Sequence, residues 1–406
     1  LSMTDALART LRKFGDPALV ARYLPGLTSQ DMDTLVQGAM FMTERHAGSD
    51  VGATATRAVR DGTLWRLHGD KWFCSNPDAG VALVLARPEG APAGTKGLSL
   101  FLLPARTEDG MPNRYRIVRL KDKLGTRNLA SGEIVLEGAA AYLVGDPGQG
   151  FRQMADMINM SRLSNGMRAA GLMRRALTEA LFVARRREAF GRRLIEAPLM
   201  RRQLLKLMLP TEAARSVLFY TAVELAKADA GDDEARRRVR ILTPLLKFRA
   251  CRDARRVTGD AMEVRGGVGY VEEFSDARLV RDAHLGSIWE GTSNIVALDV
   301  LRAIEREAAL APLLQALPSA PLERAAAFAQ SADERHARQA ASGLYYAVAA
   351  ALLEREGARL PRRARLAALV VRHKLSPRDP LAPEAAGESA GECEDLLDDV
   401  SAEVRP

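Results

Sequence analysis

The spacing of apolar and polar positions changes twice along the chain. Apolar residues recur every three to four positions in residues 1–37, which predicts helix with a break at Leu24-Pro25-Gly26. Residues 41–143 show short alternating or apolar runs separated by Gly, Pro, Asn and Asp, the pattern of strands and turns. Long amphipathic patterns return over 150–307 and continue over 312–374. The predicted order is therefore helical, β, helical.

Individual elements follow from the same pattern. The predicted strands lie at residues 64–67, 81–86, 98–103, 115–119 and 133–136. The predicted long helices lie at residues 151–190, 199–228, 234–264 and 294–307. Leu204, Leu207, Met208 and Leu218 form one stripe at helical spacing, and we interpret this stripe as the core of a helix bundle rather than as a binding surface.

These elements predict an α+β protein with five parts. They are the end of an N-terminal helical domain (1–38), a middle β domain that is a barrel or a sandwich (39–146), a helical bundle (147–308), a helical extension (309–376) and an acidic, disordered tail (377–406). The chain begins at Leu1 and enters what the pattern indicates are the last helices of a domain. We therefore expect that N-terminal residues are missing.

Composition and charge narrow the classes of protein. With 47% hydrophobic and 27% charged residues, the chain has the balance of a soluble globular protein. The net charge of +8 conceals an asymmetry, because residues 384–403 contain eight acids and no base while residues 1–383 carry +15. A body this basic favours a polyanionic partner, although arginines on solvated helix faces explain the charge equally well.

The sequence gives no sign of a membrane or a metal. No apolar run approaches the length of a membrane span and no basic-then-apolar signal opens the chain, so we expect a cytoplasmic protein. Cys74, Cys251 and Cys393 are odd in number, far apart and without CxxC spacing. They predict neither a disulfide framework nor a zinc site.

The strongest candidate chemistry lies in residues 287–299, SIWEGTSNIVALD. Glu290 stands between Trp289 and Gly291, and the apolar spacing after Asn294 predicts the start of a helix. The glycine and small polar residues let backbone come close to a ligand. Three residues of capping type occupy 292–294, so the segment taken alone is better explained as an ordinary capped helix start.

Five further motifs change that interpretation because they occur in a meaningful order. They are MTERHAGSD at 42–50, KWFCSN at 71–76, KDKLGTR at 121–127, REAFG at 187–191 and EVRGGVGY at 263–270. The last is not a dinucleotide-binding loop, since no strand precedes it. In this order the motifs resemble the acyl-CoA dehydrogenase flavoprotein superfamily, and within it the AidB-type, DNA-alkylation-response branch. The resemblance extends from Phe41 to about Arg306.

The resemblance implies FAD as cofactor. A hydroxyl, an aromatic face and an arginine suit the ring and the phosphates of this cofactor. Glu263 replaces the glutamine usual in the family, which puts its hydrogen bond to the cofactor in doubt. The residues that the resemblance places at FAD are Met42, Thr43, Gly48, Ser49, Phe73, Ser75, Arg187, Phe190, Glu263, Gly266, Gly267, Trp289, Thr292 and Asn294.

The resemblance also implies a role for Glu290. In the family, the aligned carboxylate removes the α proton of an acyl-CoA thioester while a hydride leaves the β carbon for the flavin. One branch places its base on an earlier helix, but the matching position here is Ser161, beside Arg162. No rival carboxylate exists there, and for Arg162 both a cleft-facing position and a salt bridge stay open.

A second function class rests on the residues after 305. AidB-type proteins resemble this chain in having an extra helical segment implicated in binding double-stranded DNA, and a basic cluster here would bind phosphates without reading sequence. The alternative function is thus a DNA-associated protective flavoprotein with residual dehydrogenase activity. The resemblance also implies a homotetramer. The basic cluster consists of Arg355, Arg359, Arg362, Arg363, Arg365, Arg372 and Lys374.

Overall fold

The computed structural model describes residues 1–377, 379, 381, 396 and 397. The described residues form two compact units, residues 1–161 and the residues from 162 onward. In the described part of the chain, none of the helices combines the length and the apolar character needed to cross a bilayer.

Two helices open the first unit, α1 (Ser2–Phe14) and α2 (Pro17–Leu27). Asp16 caps α2 by accepting a hydrogen bond from the amide of Ala18, so the chain breaks at Gly15-Asp16. The prediction of a break at Leu24-Pro25-Gly26 is wrong, since α2 continues through Pro25. A proline this close to the end of a helix removes only one intrahelical hydrogen bond, which α2 tolerates.

Seven strands follow and their pairing closes into a ring. Strand β3 pairs with β1, β2 and β7, β7 pairs with β5 and β6, and β5 pairs with β4, which returns to β1 and β2. The predicted strands are confirmed, while β1 and β2 were missed because they are short. The strands are β1 (Gly38–Phe41), β2 (Arg57–Asp61), β3 (Leu64–Ser75), β4 (Val81–Pro88), β5 (Ser99–Pro104), β6 (Tyr115–Leu120) and β7 (Ser131–Val144).

Strand β4 explains why part of the β region is continuously apolar. Ala82 and Val84 point into a cluster that also contains Phe101 and is surrounded by the ring of strands. Leu83 and Leu85 point to the opposite face, where they join a cluster that includes α1. A strand buried on both faces has no polar side, so it appears in the sequence as an uninterrupted apolar run.

The second unit is helical. Helix α3 (Gly150–Arg186) begins in the first unit and enters the second, and the small hairpin of β8 (Glu188–Ala189) and β9 (Arg192–Arg193) follows it. The predicted stripe on α4 lies in the main cluster of buried residues, which confirms its assignment to the core. Helix α6 was not predicted. The remaining bundle helices are α4 (Pro198–Asp229), α5 (Asp233–Arg265), α6 (Ser275–Leu285) and α7 (Ser293–Glu307).

The extension is helical as predicted and shares the core of the bundle. Buried residues of α10 and α11 belong to the same cluster as those of α4 and α5. Most of the predicted disordered tail, with Cys393, lies outside the described residues, but Leu396 and Leu397 are helical and buried. The extension consists of α8 (Leu310–Ala316), α9 (Ala320–Ser331), α10 (Ala337–Gly357), α11 (Pro361–Val370) and a π-helical turn (Val371–Leu375).

Candidate functional site

Glu290 lies in the connection between α6 and α7, in an unusual backbone conformation. Its φ angle is +54° and that of Gly291 is +99°, so two consecutive residues are left-handed. For a residue other than glycine this conformation costs about 1–2 kcal/mol and persists only where the surroundings fix it. Helix α7 begins at Ser293, and its N-cap residue Thr292 makes no capping hydrogen bond through its side chain. The segment is therefore a helix start, but side-chain capping does not explain its polar residues.

Two cations contact the backbone of this connection. Arg162 on α3 donates a hydrogen bond from Nε to the carbonyl of Glu290, at 3.1 Å. The Nζ of Lys247 on α5 donates to the carbonyl of Gly291. A β carbon on Gly291 would lie 3.1 Å from Cγ2 of Val296, so only glycine fits without displacement. The two left-handed residues are thus fixed from α3, α5 and α7.

Asp299 on α7 neutralises the first of these cations. Its carboxylate lies 2.7 Å from Arg162 and 2.7 Å from Arg240, which also pairs with Glu307. Burial by itself raises the pKa of Asp299, but the two arginines outweigh burial and hold this pKa below its usual value. Of the two possibilities for Arg162, the structure shows the salt bridge.

The ring of Trp289, the residue before Glu290, packs against an arginine side chain. The guanidinium of Arg168 lies 5.1 Å from the centre of the Trp289 ring and donates to the carbonyl of Asp282. Within the described residues, Trp289 Nε1 is buried and has no hydrogen-bond partner. Thr292 and Asn294, by contrast, are exposed.

A second group of predicted residues meets at the ends of α3 and α5. Arg187 donates from Nη1 to the carbonyl of Arg265, at 2.9 Å. Next to this bond lies a cavity of about 350 Å³, lined by Val183, Arg187, Arg265, Gly267 and Val268. Gly266 has a φ of +75°, and a β carbon there would lie 3.0 Å from Arg187. The structure therefore brings together the arginine of one motif and the glycines of another.

Two neighbours of this cavity face solvent. Phe190 has a φ of +54° and its ring is fully exposed, at the tip of the β8–β9 hairpin. Glu263 is also exposed, one turn before the end of α5. An apolar ring held in open solvent by a strained backbone indicates a surface that is covered by something else.

In the first unit, a buried ion pair fixes the loop after β1. Lys71 is 1% exposed and its Nζ lies 2.7 Å from the carboxylate of Glu44. Lys71 also donates to the carbonyl of Met42, while Glu44 accepts hydrogen bonds from the amides of Ala55 and Thr56. Burial raises the pKa of Glu44, but Lys71 and the hydrogen bonds outweigh it and leave this pKa lowered. The pair sets the conformation in which Met42 and Thr43 reach the surface.

The aromatic pair on β3 has one exposed ring and one half-buried ring. Phe73 is 55% exposed, whereas Trp72 is half-buried between the cations of Lys121 and Arg45, at 3.1 and 4.5 Å from its ring. The alternation of a strand turns neighbouring side chains to opposite faces. Trp72 packs on its own unit, and Phe73 presents an apolar face outward.

The remaining predicted residues of this unit lie on the same loop and strand. Gly48 and Ser49 are exposed, Ser75 is partly exposed at the end of β3, and His46 lies at the surface. Lys121 and Arg119 in the KDKLGTR region both pair with the buried Glu133, at 2.6 and 2.8 Å. Lys121 therefore helps to compensate the charge of the buried Glu133.

Each unit, taken separately, has side chains that fit one part of a flavin dinucleotide. The first offers an exposed aromatic face at Phe73 beside the hydroxyls of Thr43 and Ser75. The second offers an arginine beside Gly267, where nothing lies within 4 Å of the position of a β carbon. Such a space lets a phosphate approach the backbone. No group of three His, Cys, Asp or Glu residues suited to a metal occurs in the described part, and Cys74 and Cys251 are buried thiols.

The predicted basic cluster is only partly a surface. Arg362 and Arg363 are buried, which corrects their inclusion: Arg363 pairs with Glu212 at 2.8 Å, and Arg362 donates to the carbonyl of Leu396. Glu212 is fully buried and needs this charge as compensation. Lys374 is partly exposed, with its Nζ 5.4 Å from the Tyr346 ring. The members that face solvent are Arg355, Arg359, Arg365 and Arg372.

Sequence reasoning missed the residues that hold the motifs in place. Lys247 was not singled out, although it is the one charge in the apolar run from Leu245 to Phe248, and that is the signal that could have found it. Lys71 and Glu44 were included in two of the motifs, but their buried ion pair was not predicted. Asp299 was seen as a helix residue and not as the partner of Arg162.

Comparison with known proteins assigns both units. Residues 39–139 match the family model "Acyl-CoA dehydrogenase, middle domain", and residues 148–305 match "Acyl-CoA dehydrogenase, C-terminal domain". The chain is 39% identical over 313 residues to acyl-CoA dehydrogenase family member 11 of Caenorhabditis elegans, covering 74% of this chain and 51% of that protein. It is 40% identical over 306 residues to the putative acyl-CoA dehydrogenase AidB of Escherichia coli, covering 73% and 54%.

A solved structure gives the same result for the fold. C. elegans ACDH-11 in complex with C11-CoA superposes with a TM-score of 0.84 at 31% identity, over 93% of this chain and 72% of that one. The chain spans about half the length of the two curated relatives. The β ring and the helical bundle with its extension are thus the acyl-CoA dehydrogenase-like fold.

Proposed function

The chain belongs to the acyl-CoA dehydrogenase family, and from that premise we propose that it is an FAD-dependent acyl-CoA dehydrogenase with Glu290 as its base. The observation that carries the proposal is the left-handed backbone at Glu290 and Gly291, held by Arg162 and Lys247. Strain of this kind concentrates where a side chain must be aimed. A plain helix start would not need it.

The proposed reaction balances as a removal of two hydrogens. The Glu290 carboxylate takes the α proton of the acyl-CoA thioester, and the electron pair of that C–H bond becomes the second bond of the enoyl product. When bound, FAD supplies the acceptor for the hydride that leaves the β carbon. In the first unit, Thr43, Phe73 and Ser75 would contact a flavin ring. In the second unit, Arg187 with Gly266 and Gly267 would hold FAD phosphates across a subunit boundary.

The substrate proposal rests on the relatives. The C. elegans relative is seen with C11-CoA, which supports a thioester with a chain of medium length as the first substrate to try. A panel from butyryl-CoA to dodecanoyl-CoA, together with branched thioesters, covers this proposal and its neighbours.

Anaerobic mixing tests the function directly. The FAD-loaded protein is mixed with each thioester, and loss of the visible absorbance of the oxidised flavin is followed. We expect bleaching with at least one thioester and its loss, by about 10³-fold or more, in Glu290→Gln. Glu273→Gln, which changes an exposed acid, serves as control. Absence of bleaching with every thioester would remove the enzymatic proposal.

A second candidate function is nonspecific binding of double-stranded DNA by the extension. Its support is that Arg355, Arg359, Arg365 and Arg372 face solvent on elements beyond the residues that match the family models. Gel shifts of a duplex test it. Affinity should fall steeply between about 50 and 200 mM salt, and replacing the four arginines by glutamine should reduce both the affinity and the salt dependence. No shift at low salt would eliminate this candidate.

We further propose a homotetramer. Phe219 and Val223 are large apolar side chains exposed four positions apart on α4, and Phe190 is exposed at the tip of the β8–β9 hairpin. Exposed apolar side chains of this size favour burial in an assembly. Light scattering coupled to size exclusion measures the mass, and a monomer at micromolar concentration would contradict the proposal.

A further inference from the structure

Lys247 is a lysine in a place where lysines are rarely found. It lies in the middle of α5, flanked in the sequence by Leu245, Leu246 and Phe248, and its exposed fraction is 1%. Lysine is almost never fully buried unless its charge is compensated. Burying this charge therefore costs free energy, and the contacts of the side chain indicate which role the buried charge has.

Its ammonium donates a hydrogen bond to the carbonyl of Gly291. That carbonyl belongs to the second of two consecutive left-handed residues, and the first is Glu290. A hydrogen bond from a charged donor is about twice as strong as one between neutral groups. It therefore opposes relaxation of both residues toward ordinary backbone conformations.

Lys247 also interacts electrostatically with the carboxylate of Glu290. Burial lowers the pKa of Lys247 to about 8. Arg162 also lowers this pKa, whereas Cys251 and Glu290 raise it. At neutral pH the side chain is mainly a cation within the field of Glu290. This ammonium thus interacts both with the backbone next to the candidate base and with the carboxylate of Glu290.

We propose that Lys247 is a positioning residue for Glu290, whose ammonium fixes the Gly291 carbonyl and thereby keeps the carboxylate aimed at the reacting carbon. The inference rests on the proposed function of Glu290 but has a mechanical part that holds without it. Arg162 fixes the preceding carbonyl and is itself neutralised by Asp299. From α5, Lys247 reaches the carbonyl of Gly291, while Arg252 and Arg255 contact the hydroxyls of Ser293 and Ser287.

The mechanical part is tested by hydrogen exchange. The amides of Ile288 and Trp289 are bonded to the carbonyl of Leu285, at 2.9 and 3.2 Å, and the amide of Val296 to that of Thr292, so they report opening of the connection. In Lys247→Met these amides should exchange about tenfold faster or more. Lys206→Met, an exposed lysine on α4, is the matched control and should leave them unchanged.

The catalytic part is tested by flavin bleaching with the best thioester. Lys247→Met should lower the limiting rate about ten- to a hundredfold with a smaller effect on the thioester concentration at half-maximal rate, because aim rather than binding is lost. Unchanged exchange and an unchanged limiting rate would overturn the inference. If the wild type does not bleach but Lys247→Met still speeds exchange, the proposed function fails and the mechanical role of Lys247 stands.

A second variant covers the case in which Lys247→Met does not fold. Lys247→Gln keeps an N–H donor but removes the charge and shortens the side chain. It should show faster exchange at Ile288, Trp289 and Val296 and a slower limiting rate. Wild-type values for both would contradict a need for the ammonium, and Lys247→Arg, which keeps the charge, should lie closer to wild type than Lys247→Gln.

Discussion

Arg162 donates from Nε to the carbonyl of Glu290 at 3.1 Å, while its Nη1 lies 2.7 Å from Asp299. One guanidinium thus joins the backbone of the candidate base to a partly buried carboxylate six residues after the start of α7. Because Asp299 also pairs with Arg240, the arrangement is a network rather than a single pair. Its members are coupled, because without the Asp299 carboxylate Arg162 loses this ion pair and Arg240 keeps its pair with Glu307.

Replacing Asp299 by asparagine should therefore cost more than an ordinary salt bridge. We expect the free energy of unfolding to fall by about 3 kcal/mol, because Arg162 and Arg240 are both largely buried. Denaturant unfolding of the FAD-saturated protein measures it. Glu307→Gln removes a more exposed partner of Arg240 and should cost less than about 1 kcal/mol. Equal losses in both variants would contradict the network.

The ion pair of Lys71 and Glu44 should behave as a unit. Lys71→Met alone leaves the buried Glu44 without its cation and should destabilise the first unit by about 3–5 kcal/mol, with weaker FAD binding because the loop of Met42 and Thr43 loses its support. The double variant Lys71→Met, Glu44→Gln should recover part of that loss. Unfolding and flavin titration of the single and double variants decide it, and strictly additive effects would argue against coupling.

Much of the fold and part of the site could be predicted from the sequence, and the limits have physical causes. Strand β4 was found because it is an uninterrupted apolar run and α5 because its periodicity is strong, whereas the four residues of β1 are too few to show a pattern. Glu290 was identified from its motif. Its left-handed backbone was not, since nothing in a glutamate predicts a positive φ, and Lys247 is 43 positions away in sequence although it bonds to the adjacent Gly291.

The basic cluster shows a second limit of prediction from sequence, which concerns the exposure of its members. Seven cations in one sequence window could be counted, but which of them face solvent depends on the register of α11 against α4. Arg363 and Arg365 are two positions apart on one helix, and one is buried on Glu212 while the other is exposed. Composition could not separate them.

These two arginines form a matched pair for the extension. Arg363→Gln should lower the free energy of unfolding by about 3 kcal/mol because it leaves Glu212 fully buried with weaker compensation. Arg365→Gln should leave stability within about 0.5 kcal/mol and should weaken DNA binding if the second candidate function holds. Thermal unfolding and gel shifts on both variants provide the comparison. A stability loss confined to Arg365→Gln would invalidate the assignment of buried and exposed roles.

The last prediction concerns pH and follows from the buried ammonium of Lys247. Its pKa is about 8 in the folded protein, against an ordinary value of 10.5, because burial disfavours the charged form. Between these two values the unfolded chain binds a proton that the folded protein does not, so this residue makes stability rise with pH over that window. The gain is up to about 1.4 kcal/mol per pH unit, and it is absent below pH about 7, where both states are protonated.

The Lys247→Met variant isolates this contribution. Unfolding free energies of wild type and variant are measured at intervals from about pH 7 to 10, and their difference is taken so that other titrating groups cancel. The wild type should gain stability relative to the variant as pH rises from about 8, although the loss of charge also weakens the bond to Gly291. A flat difference across the window would mean that the pKa of Lys247 is not lowered on folding. A falling difference would mean that the cation is stabilised by its surroundings, and that Glu290 outweighs burial there.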